Sequence, residues 1–129
     1  MAFITSFIYC RDPEELQIPG QAEVIKPMQV IRTKYIPTYF TFSIACVIYG
    51  TDFAKENRLN LCFRNPEGEV VLDTGEASIN KREDNTDLLQ INVEFRNVVL
   101  KEAGIYRTEV KINNELLGSY PIPVIKDVE

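Results

Sequence analysis

The sequence predicts an all-β fold: an antiparallel sandwich of seven to nine strands in one domain over residues 1–129. Three observations predict it. Short runs carry apolar side chains at every second position, the period of a half-buried strand. Gly, Pro, Asn and Asp interrupt those runs about every ten residues, the rhythm of sandwiches and barrels. The stretch from Leu88 to Val124 reads as three strands joined by one corner and one tight turn.

Strand one spans about Ala2 to Cys10, with Phe3, Phe7 and Tyr9 at odd positions and Ile4 and Ile8 at even ones. Both faces are apolar, so both need cover. Asp12-Pro13-Glu14-Glu15-Leu16 is a helix start, with a cap, a proline and acids in the first turn; Pro19-Gly20 limits it to about one turn. Strand two spans about Ala22 to Ile31. Its Pro27 cannot donate to a ladder, which predicts an edge or a break. Residues 32–37 read as a loop.

Strand three, Thr38 to Tyr49, is the strongest. Phe40, Phe42, Ile44, Cys46 and Ile48 face the core, leaving Tyr39, Ala45, Val47 and Tyr49 on the other face. Asp52 to Asn57 forms a short loop or turn. Strand four, Arg58 to Arg64, turns Leu59, Leu61 and Phe63 inward. Asn65-Pro66-Glu67-Gly68 is a turn sequence leading to strand five, Glu69 to Asp73. Thr74 to Thr86 is the longest polar stretch and the expected functional loop. Strand six is Leu88 to Phe95. Strand seven follows the corner and runs through Arg107 to Ile112. Asn113-Asn114-Glu115 turns the chain into the last strand, Leu116 to Val124. Pro121 and Pro123 lie two apart, so their missing N–H groups share one side. That predicts an outer edge closed to ladder partners.

The corner Leu100-x-x-x-Gly104-x-Tyr106 resembles the tyrosine corner of immunoglobulin-like and fibronectin-type-III-like domains. The resemblance implies an immunoglobulin-like sandwich in which the Tyr106 hydroxyl bonds back to nearby backbone; a C2-like sandwich is the alternative. The core Trp and inter-sheet Cys pair of antibody domains are absent. The short apolar first strand, the Asn-Pro-Glu-Gly hairpin and the ending Gly104-x-Tyr106-Arg107 … Leu117-Gly118-Ser119-Tyr120-Pro121-Ile122-Pro123-Val124 resemble small bacterial and phage-borne sandwich domains of uncharacterised function. That family implies no activity.

Charge and composition narrow the chemistry. A net charge of −5 and pI near 4.8 oppose general nucleic-acid binding. Without any His, His-based triads and His general bases are impossible. No phosphate loop, nucleophile elbow or glycosidase-like carboxylate pair appears, which predicts a protein that is not an enzyme and needs no cofactor. Cys10, Cys46 and Cys62, odd in number and widely spaced, read as reduced thiols of a cytoplasmic protein, with Cys46 in the core. No segment reads as a signal peptide or membrane span.

If strand directions alternate, one loop end collects nine acids against four bases. A calcium site there would need closely spaced oxygens, and Asp84-Asn85-Thr86-Asp87 is the nearest approach, making Asp84 and Asp87 the candidate ligands. A solvated acidic surface explains the same residues. The opposite end carries four bases against two acids. The leading expectation is a protein-interaction module, self-association included, using the apolar surface of Phe3, Phe7, Tyr39 and Tyr49. Cover by a neighbouring loop is the bland alternative. The other functional expectation is a calcium- or ligand-binding sandwich.

Overall fold

The computed structural model describes residues 2–10, 27–51, 56–79 and 88–127. Those residues form nine strands: β1 (Phe3–Cys10), β2 (Ile31–Thr33), β3 (Thr38–Tyr49), β4 (Asn57–Arg64), β5 (Val70–Asp73), β6 (Ala77–Ile79), β7 (Leu88–Leu100), β8 (Gly104–Ile112) and β9 (Glu115–Lys126). One sheet has the order β1-β3-β7, and the other β2-β9-β8-β4-β5, with β6 also pairing β4. The fold is an all-β sandwich.

The inner faces meet in an aromatic cluster. Phe42 of β3 lies 5.2 Å from Phe63 of β4 and 5.4 Å, edge-on, from Phe95 of β7; Phe63 stacks on Tyr106 of β8 at 5.4 Å. Ile44, Cys46 and Ile48 continue the layer on one side, and Val110, Ile122 and Val124 on the other. Four rings drawn from β3, β4, β7 and β8 join the two sheets, so the core closes without the missing Trp and disulfide. Each contact of this kind contributes about 0.5–1.5 kcal/mol beyond its buried area.

Turn chemistry sets the connections. Gly68 N–H donates to Asn65 O at 2.9 Å, closing the β4–β5 turn, and the Asn65 side chain accepts from the amides of Glu67 and Glu69. Asn113 and Asn114 both take positive φ, 52° and 66°, as a two-residue hairpin turn between right-twisted strands requires.

The structure corrects several expectations. Strand two is Ile31–Thr33 rather than about Ala22 to Ile31. Pro27 makes an isolated bridge with Cys10, and residues 22–26 lie outside the described set. Strand six runs past Phe95 to Leu100, because a bulge at Asn97 (φ 52°) absorbs one residue and lets pairing with β3 resume. Ala77–Ile79, inside the expected polar loop, pairs with β4.

The last strand is not an open edge. β2 pairs with it in parallel from Ile31↔Val124 onward. Proline removes a donor only at its own position. Asp127, on the same side and past both prolines, still donates its amide to Thr33 O at 2.8 Å. Pro121 and Pro123 therefore lie just before the register where the β2 ladder begins, and do not close the edge.

Candidate functional site

Two surface features stand out, the outer face of the three-stranded sheet and a groove at the corner end.

The outer face depends on a bulge in β1. Ile4 pairs with Ile48 and Ser6 with Val47, so Thr5 is an extra residue, its hydroxyl donating to Val47 O. An extra residue reverses the facing of everything on one side of it. Phe3 and Phe7, both at odd positions, therefore lie on opposite faces. Phe7 and Tyr9 turn inward: Phe7 stacks on Tyr120 at 4.2 Å, and the buried Tyr9 hydroxyl donates to Tyr120 O at 2.6 Å and hydrogen-bonds Thr108 Oγ1 at 2.8 Å. Burial pushes the Tyr9 hydroxyl up to about 12. Phe3 faces outward.

Phe3 pairs with Tyr49, and Tyr49 pairs with Leu88, so the three make one row across the sheet. Phe3 is 52% exposed, Tyr49 44% and Leu88 43%, and the Phe3 and Tyr49 rings are 5.6 Å apart. Tyr39, 70% exposed, is ten residues from Tyr49 along β3, about 33 Å at strand rise. The four expected surface residues thus separate: Phe3 and Tyr49 stay together, Phe7 joins the core, and Tyr39 stands at the far end. Leu88 was missed because only ladder register brings it beside Tyr49. The outward ladder positions flanking this row, Ser6, Ile8, Ala45, Val47, Gln90 and Asn92, carry no charge. Glu94, further along, meets Arg96 Nε at 2.6 Å.

The second feature is built by the corner. Tyr106 Oη donates to Glu102 O at 2.8 Å, the bond the tyrosine-corner resemblance implies. Gly104 has φ 141°, and a Cβ there would lie 2.6 Å from Pro66 Cγ. Glycine is required for both reasons, and it lets the β7–β8 turn press against the β4–β5 hairpin. Between them opens a groove of about 490 Å³. Val70 and Val71 of β5, Val99 of β7 and the Tyr106 ring supply apolar lining; Glu67, Glu69 and Glu102 supply carboxylates, with Lys101 beside them. A hydrogen bond that the protonated Glu67 carboxyl donates to Glu69, then the charges of Glu102 and Glu69, push the Glu67 carboxyl above its ordinary value. The sequence made this end basic by counting loop residues. The structure makes the groove acidic, because Glu69, just before β5, joins Glu67 and Gly104 brings Glu102 to the hairpin.

Asp84 and Asp87 lie outside the described residues. Cys10, Cys46 and Cys62 are unpaired as thiols and buried, and burial raises all three, Cys46 to about 11. Among the described residues no helix is long and apolar enough to cross a membrane.

Solved structures share this architecture. An immunoglobulin-like protein from Pseudomonas aeruginosa is similar at TM-score 0.53 and 13% identity, covering 97% of each chain. The C-terminal domain of wzt is similar at TM-score 0.51 and 11% identity, over 98% of this chain and 75% of that one. Part of the Pseudomonas fluorescens alkylpurine DNA glycosylase AlkC, bound to DNA containing an abasic site analog, is similar at TM-score 0.56 and 13% identity. It covers 95% of this chain, which spans only 30% of the glycosylase. These likenesses establish an immunoglobulin-like fold and no activity. No curated protein sequence matches the chain. A family profile matches residues 7–125, and the chain therefore belongs to DUF6941, a family of unknown function.

Proposed function

We propose that the chain is a non-catalytic protein-interaction module that self-associates through the outer face of its three-stranded sheet, about the row Phe3, Tyr49 and Leu88. The observation that carries this is the row itself: three large apolar side chains, each near half exposed, aligned across adjacent strands. Single exposed apolar residues need no explanation, whereas contiguous ones mark association. The charge pattern of this face permits a second copy. Two chains of net charge −5 repel, and the neutral positions around the row let them meet without opposing like charges. A non-catalytic role is supported by the lack of His and by thiols that burial holds away from the reactive thiolate. Reduced cysteines suit a cytoplasmic location in a bacterial or phage setting.

Sedimentation velocity on the full chain tests this. A concentration-dependent dimer is expected, and Tyr49→Ser combined with Phe3→Ser should weaken it at least tenfold, about 1.4 kcal/mol, with the unfolding midpoint nearly unchanged. A monomer at millimolar concentration would falsify self-association through this face.

A further inference from the structure

We propose that the groove between β5 and β7 seats an arginine side chain from an extended basic peptide segment of a protein partner. This site lies at the opposite end of β3 from Tyr49 and does not depend on the self-association surface.

The groove matches that side chain in two parts. Val70, Val71 and Val99 offer aliphatic wall to the three methylenes of an arginine stem, which buries well against apolar surface while its head stays polar. Glu67, Glu69 and Glu102 line the same groove and supply carboxylates for the head. None of the three forms an ion pair among the described residues, while Glu56, Glu76, Glu94, Glu109 and Asp127 all do. The crowding that raises Glu67 is relieved by a cation placed between the carboxylates. A planar guanidinium meets carboxylates in paired hydrogen bonds, which a compact ammonium cannot do. The volume, about 490 Å³, lies within the roughly 300–1,000 Å³ of ordinary ligand pockets.

Two further features favour an extended peptide over a free small cation. Among the described residues β7 pairs only with β3 and β5 only with β4, so the groove runs between two strand edges. Such edges supply backbone donors and acceptors to an added segment. The described carboxylates also do not converge into a group able to hold a metal ion. The site is stiff on both sides, because Gly104 against Pro66 and Tyr106 to Glu102 clamp the two turns that carry the acids.

The test is amide NMR titration of the full chain with the peptide acetyl-Val-Arg-Val-Arg-Val-amide, alongside the same peptide with Gln for Arg. The arginine peptide should shift amides at 67–71 and 99–106, bind more weakly as salt rises, and bind at least tenfold more tightly than the Gln peptide. Glu67→Gln with Glu102→Gln should lower affinity by at least tenfold without loss of fold, since both side chains are at the surface. Phe3→Ser with Tyr49→Ser should leave peptide affinity unchanged, which separates this site from the dimer face. Absence of shifts at millimolar peptide, equal binding of the Gln peptide, or shifts elsewhere on the molecule overturns the proposal. Equivalent shifts with calcium chloride alone overturn it in favour of a metal.

Discussion

At the scale of single residues, two tyrosine hydroxyls tie the chain together. Tyr106 bonds across its own corner, from strand to turn. Tyr106→Phe keeps the ring on Phe63 and removes that bond, so urea unfolding should show a loss of about 0.5–1.5 kcal/mol. Tyr9 bonds across the sandwich, from β1 to β8 and β9. The fold holds its neutral form, so the folded chain keeps a proton that the unfolded chain gives up near its ordinary value of 10.0. The stability this contributes is complete below that pH and is lost as pH rises toward about 12. Urea unfolding at pH 9 and at pH 11.5 should therefore show a drop roughly 1–2 kcal/mol larger for the wild type than for Tyr9→Phe. An equal drop in both would place the hydroxyl in water.

At the scale of elements, irregular residues decide which face a side chain occupies. Thr5 in β1 and Asn97 in β7 each add a residue that alternation alone does not reveal. Strand three adds no residue of its own, the ladder shift near Phe40 coming from β7, and its alternation from Phe42 to Tyr49 is regular in both sequence and structure. Strand one has a bulge in its middle, and its two apolar faces exchange there. The short parallel β2 is held by few residues, with Ile31 fully buried against the core. Ile31→Ala should cost about 2–5 kcal/mol. Hydrogen exchange should then show the Asp127 amide, which donates to Thr33, losing protection before the amides of the β3–β7 ladder. Uniform loss across all strands would mean that β2 unfolds only with the whole sandwich.

At the scale of the whole molecule, the two sheets differ in what they present. The outward positions of the three-stranded sheet near Tyr49 are uncharged. On the other sheet Arg64, Arg107, Glu109 and Lys111 lie on neighbouring strands β4 and β8, with Arg64 Nε meeting Glu109 Oε1 at 2.5 Å. One face carries a neutral, partly apolar row, the other a charged and ion-paired surface. The acidic groove occupies a third position, at the corner end, where the edges of the two sheets approach each other. The candidate surfaces are therefore separable by mutation, which is why the peptide titration uses the Phe3 and Tyr49 variant as its control.

Local pattern was enough for the sandwich, for the inward set from Phe40 to Ile48, and for the corner. Alternation, turn residues and the Leu100-Gly104-Tyr106 spacing act over a few residues, and their physics is complete within that span. The candidate surfaces needed partners far away in the chain. Phe3, Tyr49 and Leu88 form a row only through ladder register, and the bulge at Thr5 sends Phe7 inward to Tyr120 although its spacing matches that of Phe3. The β2–β9 pairing joins residues more than ninety positions apart, so the prolines of the last strand by themselves suggested a closed edge. Glu102 meets the hairpin acids because Gly104 lets two turns touch. Facing, edge occupancy and local charge are set by which backbones pair, and tertiary structure alone decides that pairing.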